Sequence, residues 1–214
     1  MSICLPAVQR ELGDFKLDVG SLELPEGLIV IVGRNGSGKS SYAEGIATAP
    51  VKGQNRWHYL PQYLDRFLFG EHILGQLQEI MGEDIDETRL QAEVLQMGFG
   101  SPDEMIRFPF QLMSGGERRR IALAAVFYLR APAMILDEPE IGLGQKESVV
   151  LKAKLNNLTA SGGQVMVISH TAELIKMANH VIGLEAGGLA FSGSASALFD
   201  INEDDPQRFG IRFG

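Results

Sequence analysis

From Leu28 to Val32 every position is apolar, a LIVIV run that reads as a strand covered on both faces. Ahead of it, Asp14-Phe15-Lys16-Leu17-Asp18-Val19 alternates polar and apolar as a half-buried strand does. Leu22 and Leu24 repeat the alternation up to a Pro25-Glu26-Gly27 turn. Trp57 to Leu60 predicts a short strand ending in Pro61-Gln62, after a polar, turn-rich piece from Pro50 to Arg56. Ala133 to Leu136 and Gln164 to Ile168 predict two further buried strands. Val181 to Leu184 and Leu189 to Phe191 flank Gly187-Gly188 as a hairpin. Apolar residues at three- and four-residue steps predict helices over Glu71 to Met81 and Glu87 to Met97. Further helices are expected over Tyr42 to Ala47, from Ser114, over Gln145 to Leu158 and over Ser194 to Phe199. Strands alternating with helices give an α/β fold, with residues 63–112 as a small helical subdomain inserted in a single domain spanning 1–214.

The chain has 214 residues, 45% of them hydrophobic, enough for one self-sufficient core. A net charge of −8 argues against a long basic surface, so no nucleic-acid partner is expected. The single cysteine, Cys4, cannot close an internal disulfide, which suits a reducing compartment. No secretory signal pattern opens the chain, and no apolar stretch reaches the roughly 20 residues that span a bilayer. Work at a membrane would need another chain to do the spanning.

Chemistry concentrates in four places. Gly33-Arg34-Asn35-Gly36-Ser37-Gly38-Lys39-Ser40-Ser41 follows the apolar strand and opens onto a helix. Glycines there let backbone N–H groups curl round a polyphosphate, with Lys39 reaching the β- and γ-phosphates and Ser40 placed to ligate Mg²⁺. Asp137 and Glu138 end the Ala133 strand. A carboxylate there suits Mg²⁺ through water, and its neighbour could polarise an attacking water. Ser114-Gly115-Gly116-Glu117 has the spacing of a capping box ahead of Arg118-Arg119-Arg120. It reads either as a capped helix with a solvated basic turn or as an anion-holding helix tip. His170, after Ser169 at a strand end, is either structural or a γ-phosphate contact. Phe15 is core-facing or stacks on a base, and the Phe67-Leu68-Phe69 patch is core or a docking site. His58, with no second ligand at useful spacing, reads as strand surface rather than a metal ligand. The tail carries Phe209, Ile211 and Phe213, which are expected to dock rather than float.

Taken in order, Gly33 to Ser40, Gln62, Ser114 to Glu117, Asp137-Glu138 and His170 resemble the nucleotide-binding domain of ATP-binding-cassette (ABC) proteins, over nearly the whole chain. Pro109-Phe110-Gln111-Leu112, Phe69, Gly142-Leu143 and Leu198-Phe199 are similar to the ATPases of energy-coupling-factor and cobalt or nickel transporters. The resemblance implies a P-loop NTPase core, ATP and Mg²⁺ as cofactors, and a second ABC ATPase subunit, the same chain or a paralogue, as partner. The two would sandwich two ATP molecules, each phosphate loop facing the Ser114 to Glu117 tip of the other. It gives Mg²⁺ to Ser40 and Asp137 with Gln62 nearby, makes Glu138 the catalytic base and His170 the γ-phosphate sensor. It adds an integral membrane transporter subunit, docked near Gln62 and the helical subdomain on the cytoplasmic face.

Four departures qualify the resemblance. Glu117 stands where the family usually has glutamine, and Gly144 where it has aspartate. No clear adenine-stacking aromatic precedes the phosphate loop, and the Ser40 to Gln62 segment is short, so the antiparallel β-subdomain must be trimmed. Two other readings follow: an ATP-holding regulatory protein with weak turnover, and a soluble ABC ATPase acting on DNA, which usually carries a long coiled coil absent here.

Overall fold

A strand apolar at every position must be covered on both faces. Leu28–Val32 (β5) is such a strand, and all five of its residues are buried. The computed structural model describes residues 2–49, 56–63, 67–82, 84–205 and 207–213, with the side chains of 202–204 left aside. The turn-rich piece expected at Pro50 to Arg56 lies, apart from Arg56, outside the described residues.

Among the described residues the chain forms two compact units. One comprises Met1–Tyr59, Pro132–Glu138 and Leu155–Gly214; the other comprises Leu60–Ala131 and Pro139–Lys154. The strands are Ser2–Leu5 (β1), Val8–Leu12 (β2), Phe15–Val19 (β3), Leu22–Pro25 (β4), β5, His58–Leu60 (β6), Ala133–Asp137 (β7), Gln164–Ile168 (β8), His180–Glu185 (β9) and Gly188–Gly193 (β10). Eight of them build one sheet in the order β2-β3-β10-β9-β5-β8-β7-β6, while β1 and β4 pair separately. β5 runs parallel to β8 and β9, and β8 runs parallel to β7. β2 with β3, and β9 with β10, are antiparallel. Register puts Asp137 opposite Ile168 and Ile31 opposite Ile168. The carboxyl ends of β5, β7 and β8 therefore share one edge, where open α/β sheets hold ligands.

Ile29, Ile31, Ile135, Met166, Ile168 and Ile182 of these strands pack on Tyr42, Ala43 and Ile46 of the helix Lys39–Thr48 (α1) and on Trp57. Phe15 is half-buried against this core. The β9–β10 turn sits one residue earlier than its glycine pair suggests. Ala186 and Gly187, with φ of 48° and 83°, make the two-residue turn, and Gly188 already belongs to β10.

The second unit is helical: Ile73–Met81 (α2), Glu87–Gln96 (α3), Pro102–Met105 (α4), a 3-10 turn at Phe110–Leu112, Gly115–Leu129 (α5) and the first part of Gln145–Ala160 (α6). α2 begins two residues later than its apolar spacing predicts. The His72 ring accepts from the Gly75 N–H at 3.0 Å, so His72 caps the helix and Glu71 stays outside it. Asp86 caps α3 in the same way at 3.0 Å. α5 is buried nearly all round from Ile121 to Tyr128. The Phe67 to Phe69 patch divides: Phe67 and Leu68 are half-buried, Phe69 is exposed, and buried Gln76 binds the Phe67 carbonyl and the Phe69 N–H, both at 3.0 Å. No helix among the described residues is long and apolar enough to cross a membrane.

Candidate functional site

The first unit gathers its chemistry where β5 ends. Gly33, Gly36 and Gly38 have φ of 151°, 81° and 100°, which side chains rarely adopt. A Cβ at Gly33 would lie 2.4 Å from the Leu184 carbonyl oxygen, and one at Gly38 would lie 2.9 Å from Leu17. The loop is thus reserved for glycine by its neighbours as well as by its turn. Gly38 opens α1 with no side-chain cap. The N-terminal N–H groups and the positive end of the helix dipole are therefore turned to the loop without a side chain to claim them.

Lys39 is 7% exposed, and its Nζ donates to the carbonyl oxygens of Gly33 (2.7 Å) and Arg34 (3.1 Å). Burial pulls its pKa down, while Glu138 and Asp137 push it back up. Asp137, 2% exposed, accepts from the Tyr59 hydroxyl at 2.9 Å. The Ser40 hydroxyl bonds the same phenol, whose pKa burial and then Asp137 drive far up. Tyr59 on β6 thus ties Ser40 to Asp137. A hydroxyl and a single carboxylate are hard oxygen donors that suit Mg²⁺ shared with phosphate oxygens. No cluster of three or more His, Cys, Asp or Glu among the described residues offers an all-protein cage instead.

Glu138 has φ of 47°, an uncommon conformation for a residue with a side chain, and its N–H donates to the Ile168 carbonyl at 2.9 Å. Its Oε1 lies 3.4 Å from Nε2 of His170. His170 is 6% exposed, its Nδ1 lies 3.1 Å from the Gly210 carbonyl oxygen, and Nε2 makes no hydrogen bond. Burial and then Lys39 lower its pKa, against Glu138 and the Gly210 contact. Phosphate loop, Lys39, Ser40, Asp137, Glu138 and His170 thus all belong to one unit.

The second unit holds Gln62 and Ser114 to Glu117. Ser114 accepts from the Glu117 N–H at 3.3 Å, and Glu117 Oε2 accepts from the Ser114 N–H (2.9 Å) and hydroxyl (2.7 Å), a complete capping box. Gln62, Gly115, Gly116, Ile141 and Gly142 line one cleft of about 280 Å³. The basic run is not a solvated turn. Arg118 donates to the Phe110 carbonyl (3.0 Å), and Arg119 to those of Pro61 (3.0 Å) and Gln62 (3.2 Å). Arg120 donates to Met97 and Gly98, each at 3.2 Å, beneath the Phe99 ring. Each arginine ties α5 to backbone carbonyls of neighbouring loops and turns.

Sequence reasoning missed Tyr59 and Gly210. Tyr59 acts on a residue 78 positions away, and its only signal was a phenol on a short strand. Gly210 acts through its backbone, which no side-chain pattern announces.

A family model described as ABC transporter matches residues 17–140. A putative ABC transporter ATP-binding protein of Pyrococcus horikoshii is 27% identical over 215 residues, covering 90% of this chain and 81% of its own. An energy-coupling factor transporter ATP-binding protein of Streptococcus agalactiae serotype Ia is 31% identical over 143 residues, 64% of this chain and 51% of its own. A dimeric post-hydrolysis ATP-binding cassette bound to ADP and Pi superposes with a TM-score of 0.71 at 17% identity, over 91% of this chain and 99% of that one, which speaks for the fold. The match spans the phosphate loop, the serine-glycine helix tip and the Asp137-Glu138 strand, more than half of the residues, and on it the chain belongs to the ABC transporter family.

Proposed function

We propose that this chain binds and hydrolyses ATP as one half of an ATPase dimer that powers a membrane transporter of the energy-coupling-factor kind. The observation that carries this is the convergence of buried Lys39, Asp137 and His170 and half-buried Glu138 on one glycine loop at the sheet's carboxyl edge. In this reading residues 1–214 are one ABC ATPase domain with 63–112 as its helical subdomain.

The loop N–H groups and α1 would hold the triphosphate, with Lys39 released from its carbonyl partners to the β- and γ-phosphates. Held by Ser40 and Asp137, Mg²⁺ would neutralise charge on those phosphate oxygens. Glu138, fixed by its strained backbone at the end of β7, would orient and deprotonate the attacking water. His170 would read the γ-phosphate through Nε2. The Ser114 to Glu117 tip would act on the nucleotide held by the partner subunit, second copy or paralogue. Gln62, on the same cleft as the tip, would report that state to a membrane-spanning subunit supplied by another chain, with this one peripheral on the cytoplasmic face.

Glu138→Gln tests the reading. Turnover should fall by about 100-fold or more while ATP still binds, and the variant should double its mass with ATP in light scattering. Equal hydrolysis by both proteins would remove Glu138 as the base and favour a regulatory protein with weak turnover.

A further inference from the structure

The C-terminal tail sits on the histidine assigned above to γ-phosphate sensing. Phe209 is its anchor. The ring is 1% exposed and lies 6.3 Å from that of Phe191. It fills space that only a glycine leaves open, since a Cβ at Gly183 would come within 2.7 Å of it. Beyond the anchor, the Arg212 N–H donates to the His170 carbonyl at 2.7 Å, and the Ala172 N–H donates to the Arg212 carbonyl at 3.0 Å. Thr171 and Arg212 thereby form a short parallel bridge. The backbone on both sides of Thr171, immediately after His170, is held by the tail.

The ring is held as well. A carbonyl oxygen only accepts, so Nδ1 of His170, 3.1 Å from Gly210 O, must carry the proton. With the proton on Nδ1, Nε2 of the neutral ring is an acceptor, and it donates to a phosphate oxygen only when the ring takes up a second proton; Nε2 is buried, has no hydrogen-bond partner and stands 3.4 Å from Glu138. Gly210 has φ of 64°, and a Cβ built there would lie 3.4 Å from Nδ1 and 3.7 Å from Cα of Arg34 in the phosphate loop. The same glycine bonds the sensor and sits beside the cradle with little room for a side chain.

We propose that the tail from Phe209 to Phe213 is the positioning element of the nucleotide site: it fixes the ring orientation of His170 with Nδ1 protonated, so that a proton taken up at Nε2 is the one donated to the γ-phosphate. Gly210 acts through its carbonyl and is a positioning residue. The proposal rests on the sensor reading of His170. It makes discrimination between ATP and ADP depend on a docked tail, although no tail side chain needs to touch nucleotide.

The experiment uses the full chain with ¹⁵N-labelled imidazoles. Only four histidines contribute, and His170→Ala identifies the resonance. The intact protein should show His170 fixed as the Nδ1–H form. Gly210→Val places a β-branched residue at positive φ, and Phe209→Leu loosens the anchor while keeping it apolar. Each should lose the fixed tautomer signature and weaken ATP binding by about 10-fold, with ADP binding unchanged. Phe209→Leu carries the test if Gly210→Val does not fold. An unchanged His170 signature in a folded variant overturns the proposal. So does an altered signature with the ATP to ADP affinity ratio of the wild type. A His170→Ala protein that keeps that ratio would instead remove the sensor reading, and the tail's role with it.

Discussion

Two helices begin where a negative charge is favoured, and they begin in opposite ways. α1 starts at Gly38, inside a loop, with no side-chain cap and a buried lysine as its first residue. α5 starts at Ser114 on the surface and satisfies itself, because Ser114 and Glu117 cap each other. The dipole favours an anion at both ends. Only one of them leaves the job undone. A helix terminus without a cap is a site that a ligand completes, and glycines at 33, 36 and 38 allow the positive φ angles that keep it so. A terminus with a full capping box is a finished helix first. A phosphate arriving there must displace the Glu117 carboxylate from the serine N–H and hydroxyl, giving up that half of the capping box. The first end suits high-affinity capture by one chain. The second suits a contact made only when a partner presents its nucleotide.

The largest expected effect separates the two ends directly. Lys39→Ala removes the cation from the open end and should lower ATP affinity by about 100-fold or more in calorimetry. Retained affinity would mean that the α1 end does not need a ligand to complete it, and the contrast would collapse. Ser114→Ala acts on the closed end. It should cost about 1 kcal/mol of stability in thermal or urea unfolding and leave single-chain ATP binding intact. In a Glu138→Gln background it should still prevent the ATP-dependent doubling of mass. A dimer that forms normally without the Ser114 hydroxyl would show that the tip holds no phosphate.

Why one end was fully legible and its surroundings were not follows from how far each interaction reaches along the chain. The phosphate loop and the capping box are local: eight or four consecutive residues carry their own geometry, and Ser114 with Glu117 pairs as its spacing predicts. The central strands were legible for the same reason, since an unbroken apolar run such as Leu28–Val32 has few other uses. The N-terminal stretch 1–27 was legible as strand and turn, but not the bounds of β1 and β2, whose register is set by β4 and β3. The solvated reading of Arg118 to Arg120 failed because composition does not reveal which backbone carbonyls the fold brings within their reach. Tyr59 reaching Asp137, and Gly210 reaching His170, depend on sheet register and on the path of the tail. Glu138, at positive φ, has its N–H paired with the Ile168 carbonyl across the sheet, again a partner on the neighbouring strand.

The smallest effect bears on the charge of the closed end. Hydrogen bonds from Ser114 hold the Glu117 pKa below the ordinary glutamate value of 4.5. A carboxylate depressed in the folded state contributes at pH above its unfolded value, and that contribution is lost as pH falls through the folded value. Protection of the first-turn amides of α5 against hydrogen exchange should therefore decline on acidification below that ordinary value. Glutamine at this position can still accept from the Ser114 N–H but has no charge to lose, so Glu117→Gln should flatten the decline. It should also let the ATP-bound dimer form at lower ATP, because the incoming phosphate no longer meets a carboxylate. If acid loosens the helix tip of Glu117→Gln as much as that of the wild type, the cap does not depend on ionised Glu117. The closed end would then be kept closed by the Ser114 hydroxyl alone.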